Sequence, residues 1–322
     1  MCMKHAFAKT ALLFLASLCM AASPGWARDG QPAANPAAAP AQVLDLPAGT
    51  QDAAPATPGS LQFIGTATVL IHYHGLTILT DPNFLHKGER APLGYGLSSE
   101  RLTDPAIELG ALPQVDFVLL SHLHGDHFDP LVQEKLDRNL PIITTPEAAP
   151  DLQKMGFTRV HALARWDAIQ VNKGRASVRV TAMPGRHGPG AAAALLPQVM
   201  GSMLDFSAQG NASNYRMYIS GDTLVYDDIR EIPKRYPDVD LALLHLGGTR
   251  ILGFLKVTMD GKDGVEMLQI IAPREAIPIH YNDYGVFKSP LSDFQKEVAG
   301  ADLKTKITYL KHGESYPFRL GK

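Results

Sequence analysis

Ser121-His122-Leu123-His124-Gly125-Asp126-His127 follows directly on Val115-Asp116-Phe117-Val118-Leu119-Leu120. The second stretch is apolar and short enough for a buried strand. The first places four potential metal ligands within six residues. They cannot all be packed into an apolar core without partners, because a polar group removed from water has to be satisfied. A loop at the end of a strand can turn them all inward on one point. His122 and His124 are two apart and share a side, while Asp126 and His127 are adjacent and can face a second centre. A solvated loop accounts for a lone histidine, but it does not account for this spacing.

The same rule finds three more residues. His187 follows a run in which Ala176, Val178, Val180 and Ala182 alternate with polar residues, the pattern of a half-buried strand. Asp222 follows the apolar run 215–219, and His280 follows 276–279. Each is a metal-capable residue beside a Gly or Pro that lets the chain turn sharply. Further strands are expected over 63–73, interrupted near Gly65-Thr66, and over 76–80 and 241–244. Helices are expected over 131–136 and 260–271, the latter capped near Thr258 or Asp260, with Val265 and Leu268 on one face.

Working outward, the N-terminus reads as a secretory signal over residues 1–27. Lys4 and Lys9 precede a short apolar run, 11–22, and Gly25-Trp26-Ala27 offers small residues for cleavage after Ala27. Both cysteines, Cys2 and Cys19, fall inside it. The mature chain would therefore have no disulfide, and a metal site must use His, Asp and Glu. Residues 28–58 are rich in Ala and Pro without hydrophobic periodicity and read as a flexible linker. The folded domain is expected over 59–322. These features place the protein in the periplasm or outside the cell, with no stable membrane span in the mature chain. Of the 322 residues, 45% are hydrophobic and 19% charged, with a formal net charge of −2, so nothing basic points to nucleic acid.

The ordered set H-x-H-x-D-H, a single His, Gly-Asp-Thr and a final His resembles the metallo-β-lactamase superfamily. The resemblance implies an α+β fold, a four-layer αββα sandwich with metals at the edge between the sheets. It implies that His122, His124 and His187 bind one ion, that Asp126, His127 and His280 bind a second, and that Asp222 bridges them. The expected cofactor is a pair of divalent ions, zinc first, with manganese or iron compatible. Ile64-Gly65-Thr66-Ala67-Thr68-Val69-Leu70-Ile71, then Ile78-Leu79-Thr80-Asp81-Pro82, is similar to the branch holding the bacterial ascorbate-phosphate lactonases and N-acylphosphatidylethanolamine-hydrolysing phospholipase D. Many members carry His where this chain has Thr66. The implied activity is hydrolysis of an ester, lactone or phosphodiester bond by a hydroxide held between the ions, with Asp126 also steering its proton. β-Lactam hydrolysis is the alternative. From other classes, a di-iron redox protein or a non-catalytic metal-binding protein would share the fold. The redox proteins carry Glu in the first motif and a flavin domain, whereas residue 124 is His and no length remains for such a domain.

Other residues carry weaker expectations. His245, at the end of a buried strand, is expected to line the pocket or to donate a proton to the leaving group. Asp81 is expected to hydrogen-bond a ligand histidine, and Thr223 to hold Asp222. Tyr281 and Asn282 are expected to touch substrate. His72 and His74 read as surface residues. The long stretch 188–213, with its run of Ala, Leu, Val and Met, is expected to form an apolar flap over the centre and to favour a lipophilic small-molecule substrate. Residues 84–103 would form another wall.

Overall fold

The computed structural model describes residues 42–48, 59–94, 96–208, 215–251 and 253–319. The signal segment with both cysteines lies outside them, as does most of the linker. Two sheets face each other. One has eight strands in the spatial order Gln42–Leu46, Ala168–Lys173, Ala176–Met183, Gly201–Ala208, Tyr215–Ile219, Leu241–His245, Glu275–Ile279 and Lys306–Ile307. The other has seven, in the order Ser315–Pro317, Gly59–Gly65, Thr68–Tyr73, Leu76–Thr80, Phe117–Leu119, Ile142–Thr144 and Val160–Ala162.

Alternation along the strands builds the layers. Phe63, Val69, Ile71 and Phe117 of the second sheet meet Val178, Leu204, Met217 and Ile277 of the first in one buried core. The opposite face of the first sheet, with Met203, Tyr218 and Leu244, is covered through Met267, Leu268 and Phe294 by the helices Gly261–Ile271 and Leu291–Ala299. The outer face of the second sheet, with Leu79, Val118 and Ile142, is covered through Val132 and Leu152 by Pro130–Lys135 and Ala148–Lys154. The architecture is the expected αββα sandwich. Asp260 and Asp263 cap the start of Gly261–Ile271 reciprocally, which is why that helix begins there. Asp129 caps Pro130–Lys135 and also accepts from the backbone of Leu85.

Strand direction positions the site. Tyr215–Ile219, Leu241–His245 and Glu275–Ile279 are mutually parallel, as are Leu76–Thr80, Phe117–Leu119 and Ile142–Thr144. Parallel neighbours end on the same edge, so the loops after them collect there.

Three expectations are corrected. Within the stretch read as linker, Gln42–Leu46 forms an edge strand parallel to Ala168–Lys173, with Leu44 buried in the core between the sheets. Five residues with two apolar contacts are too short a signal to stand out from Ala/Pro-rich surroundings. The interruption at Gly65-Thr66 is the turn of a hairpin between Gly59–Gly65 and Thr68–Tyr73. The second half of the apolar stretch after His187 is the strand Gly201–Ala208, paired on both sides, so it is part of the sheet and not of a flap. No helix among the described residues is long and apolar enough to cross a membrane.

Candidate metal centre

The expected ligands converge. Atoms of His122, His124 and His187 form one group, and atoms of Asp126, His127, Asp222 and His280 form another; in each group one ligand atom per residue lies within 4.8 Å of all the others. Local backbone makes this possible. His280 has φ of 61° and Asp81 of 37°. Such left-handed conformations cost a non-glycine residue about 1–3 kcal/mol and persist only where the surroundings impose them. Gly221, just before Asp222, has φ of 60°, and a Cβ there would stand 2.5 Å from the Met200 carbonyl oxygen. Gly125 is equally constrained, since a Cβ would meet the Pro92 carbonyl at 2.4 Å.

Hydrogen bonds set which ring nitrogen faces inward. His187 Nδ1 lies 2.9 Å from the carbonyl oxygens of both Asp222 and Val257. A carbonyl only accepts, so Nδ1 carries the proton and Nε2 keeps its lone pair for a metal. His280 Nδ1 donates likewise to the Leu246 carbonyl at 3.0 Å. His122 Nδ1 is 3.1 Å from the Ser121 hydroxyl, and its Nε2 is 3.0 Å from His124 Nδ1. Two imidazole nitrogens so close both face the first centre.

The two groups differ electrically. Burial, then neighbouring imidazoles, holds His122 well below the ordinary histidine range, and His124 is lowered to about 4 for the same reasons. Burial lowers His187 too. Neutral imidazole is the ligand form. At the second group burial opposes the charged histidine, but carboxylates outweigh it. Asp222, Asp126 and Asp81 raise His127 well above its usual value, and Asp222 leads in raising His280. Burial alone would raise the two acids, yet the His127 and His280 rings bring Asp126 to about 2 and hold Asp222 well below the carboxylate range. Asp126 Oδ1, His127 Nε2 and His280 Nε2 are buried without a well-formed hydrogen bond, His127 Nε2 lying 3.2 Å from Asp222 Oδ2 and His280 Nε2 3.5 Å from Asp126 Oδ2. Leaving such atoms unpaired is costly. A cation among them would satisfy all three, so this donor set fits a metal. The first group offers nitrogen alone and the second nitrogen with oxygen.

A model of the beta-lactamase superfamily domain matches residues 77–281, a span that contains both groups. This chain belongs to the metallo-β-lactamase superfamily. It is similar to a UPF0173 metal-dependent hydrolase of Archaeoglobus fulgidus, 29% identical over 64% of this chain and 83% of the relative. A possible metal-dependent hydrolase from Veillonella parvula shares the fold with a TM-score of 0.67 at 22% identity, over 81% of this chain and 100% of that one. The isothiocyanate hydrolase from Delia radicum gut bacteria also has a TM-score of 0.67, at 20% identity, over 81% and 100%. The protein is a metal-dependent hydrolase.

Around the centre, the hydrolase departs from several expectations. Asp81 lies behind His127: its Oδ1 accepts from Ser121 N at 2.7 Å and its Oδ2 lies 3.5 Å from His127 Nδ1. Thr223 does not hold the Asp222 carboxylate. Its hydroxyl accepts from Arg186 N at 2.9 Å and donates to the Leu224 carbonyl, tying the His187 loop to the Asp222 loop. The hydroxyl that reaches Asp222 Oδ2, at 3.2 Å, is that of Thr258, a residue the sequence suggested only as a helix cap. His245 does not line the cleft. It is fully buried behind the carboxylate, with Nδ1 3.1 Å from Asp222 Oδ1 and its ring stacked on His127 and His280. That position suits orienting Asp222, not protonating a leaving group. Tyr281 turns away too: the left-handed turn at His280 sends the next side chain into the core, where its hydroxyl donates to the Leu310 carbonyl. Asn282 is exposed and accepts from Leu291 N. His72 and His74 are half-buried on the hairpin of Thr68–Tyr73 and Leu76–Thr80, away from the ligand loops. Thr66 reaches the site through its backbone, its carbonyl accepting from His280 N at 2.6 Å.

Two cavities meet at His124. One, of about 160 Å³, opens over His124, Asp126, His187 and Asp222 and is walled by Leu97 and Ile251. The other, of about 440 Å³, runs from His124 past Leu123 and Met155 to the segment 194–197. The wall expected from 84–103 is present in Leu93, Leu97 and Ser98, whereas 188–213 forms no flap over the centre: its residues 194–197 line only the second cavity.

Proposed function

We propose that this hydrolase binds two divalent ions, zinc in the first instance with manganese or iron as alternatives, and cleaves an ester, lactone or phosphodiester bond. The observation that carries the reading is the division of seven clustered His and Asp residues into a nitrogen-only group and a group with carboxylates, both reaching one cavity. When bound, such ions polarise a carbonyl or phosphoryl oxygen and make water a nucleophile at neutral pH. The chain's own residues then do the rest. His122, His124 and His187 would hold the first ion; Asp126, His127 and His280 the second; Asp222 would bridge. His245 and Thr258 fix the Asp222 carboxylate from two sides. Asp126, with one carboxylate oxygen unpartnered, is the group we assign to orienting the attacking water.

Several finer points belong to the same proposal. The branch motifs favour the lactonase and phospholipase D side of the superfamily over β-lactam hydrolysis. The groove past Leu123 and Met155 supports a substrate with an apolar portion. The N-terminal sequence supports export, cleavage after Ala27 and action in the periplasm or outside the cell; N-terminal sequencing of the fractionated protein tests this, and an intact N-terminus in the cytoplasm would refute it. The test of the main reading is elemental analysis of the purified enzyme with assays on a matched ester, lactone, phosphodiester and β-lactam panel. Two ions per chain, and turnover lost in His122→Ala and Asp222→Ala, are expected. A folded protein that takes up no second ion on reconstitution would reject the two-ion mechanism.

A further inference from the structure

We propose that a buried polar network centred on Asp283 and Asn83 is a positioning device for the second ligand group, setting its affinity for metal while leaving the first group unaffected. The inference rests on the two-ion reading above. It starts from two non-glycine residues in left-handed conformation, Thr66 with φ of 53° and His280 with φ of 61°, joined by the 2.6 Å bond from His280 N to the Thr66 carbonyl. Neither conformation is favoured by itself, so the surroundings have to hold both.

Asp283 does this. It is fully buried, and its Oδ2 accepts from Thr66 N at 2.6 Å. Its Oδ1 accepts from the Thr103 hydroxyl and lies 3.3 Å from His312 Nε2, while its carbonyl accepts from Leu102 N at 2.8 Å. The backbone of His280 is thus referenced, through Thr66, to a side chain clasped on three sides. Asn83 forms the other arm. Its Nδ2 donates to the Gly125 carbonyl at 3.0 Å, the peptide that leads into Asp126. Its Oδ1 accepts from the Tyr284 hydroxyl at 3.0 Å. Arg101, fully buried, joins the arms by donating to the carbonyls of Asn83 and Thr103, each at 3.1 Å. Asp126 and His280 therefore share one frame.

The first group has different supports. His187 rests on the Asp222 and Val257 carbonyls, and His122 on the adjacent Ser121 hydroxyl. None of these residues belongs to the network. His124 precedes Gly125, but the bonded carbonyl is on the far side of that glycine, towards Asp126.

Metal-free whole chain titrated with zinc against a chromophoric chelator tests the idea without an activity assay. Wild type should take two ions and His122→Ala one, at the second group. In the His122→Ala background, Asp283→Ala should weaken the remaining ion by about 10–100-fold, the usual cost of losing such support. In the otherwise wild-type chain, Asp283→Ala should leave one ion at wild-type affinity. Asp283→Asn keeps an acceptor for Thr66 N and should restore most of the loss. Tyr284→Phe removes only the hydroxyl bonded to Asn83, should shift the same ion in the same direction by less, and remains informative if Asp283→Ala fails to fold. Equal weakening of both ions, no change in any of these variants, or Asn no better than Ala would overturn the proposal. A wild type that binds fewer than two ions would overturn the two-ion reading instead.

Discussion

The two halves of the metal centre are built differently although they share one edge of the sandwich. The first, His122, His124 and His187, is neutral and leans on a neighbouring serine and on main-chain carbonyls 35 and 70 residues away. The second contains carboxylates and, besides the Leu246 carbonyl behind His280, leans on side chains that reach across the molecule. Asp283 contacts Thr66 from 217 residues away, and Tyr284 contacts Asn83 from 201. A main-chain carbonyl is held by the backbone that carries it, whereas a chain of buried side-chain bonds is only as good as each link. The first half should therefore tolerate change around it better than the second.

The largest expected effect concerns both halves together. Stripping the metal should abolish turnover and lower Tm. An ion present at about a thousand times its Kd stabilises by about 4 kcal/mol, so removal should cost roughly 10 °C per site in a domain of this size. Calorimetry with and without chelator checks this, and two separable decrements would confirm that the halves load independently. A single decrement would merge them.

Next in size are the supports of Asp222, the residue proposed to bridge the halves. Deleting the Thr258 hydroxyl in Thr258→Val should cost roughly tenfold or more in kcat/KM, since one bond to a charged group is worth about 1.5 kcal/mol or more. His245→Ala should lower kcat by a similar factor or more, and His245→Asn, which can still donate to Asp222, should recover much of it. If His245 instead protonated the leaving group, Asn would be as poor as Ala, and substrates with good leaving groups would be spared.

The smallest expected effect lies outside both halves, in the groove. Leu196→Ala should raise KM for an ester with a long apolar tail about three- to tenfold and leave a short ester unchanged, since each buried methylene is worth about 0.8 kcal/mol. Equal changes for both esters would remove the groove from substrate binding.

How much of this was legible in the chain can be judged residue by residue. The seven candidate ligands were legible because each follows an apolar strand, and Gly125 and Gly221 mark the turns that aim two of them. Asp81 was legible for the same reason. His245 obeys the same rule but ended behind the centre: its position at a strand end was readable, while the direction of its ring depended on the neighbours it stacks on. Thr258, Asn83, Asp283 and Arg101 carried no such mark. They lie in irregular segments, and no periodicity links a residue near 83 to one near 284. The strand Gln42–Leu46 escaped because its partner, Ala168–Lys173, is more than a hundred residues away.

The order of apolar runs and polar turns by itself brought out the strands and the metal-capable residues at their ends, because burial of alternating side chains and the sharp turns beside glycine and proline are local matters; the sandwich was implied by the resemblance of the ordered motifs. Only the tertiary structure decided which nitrogen each of these histidines presents and which distant side chains hold them there. Those depend on buried polar atoms finding partners across the fold, and a partner exists only once the two sheets have brought their edges together.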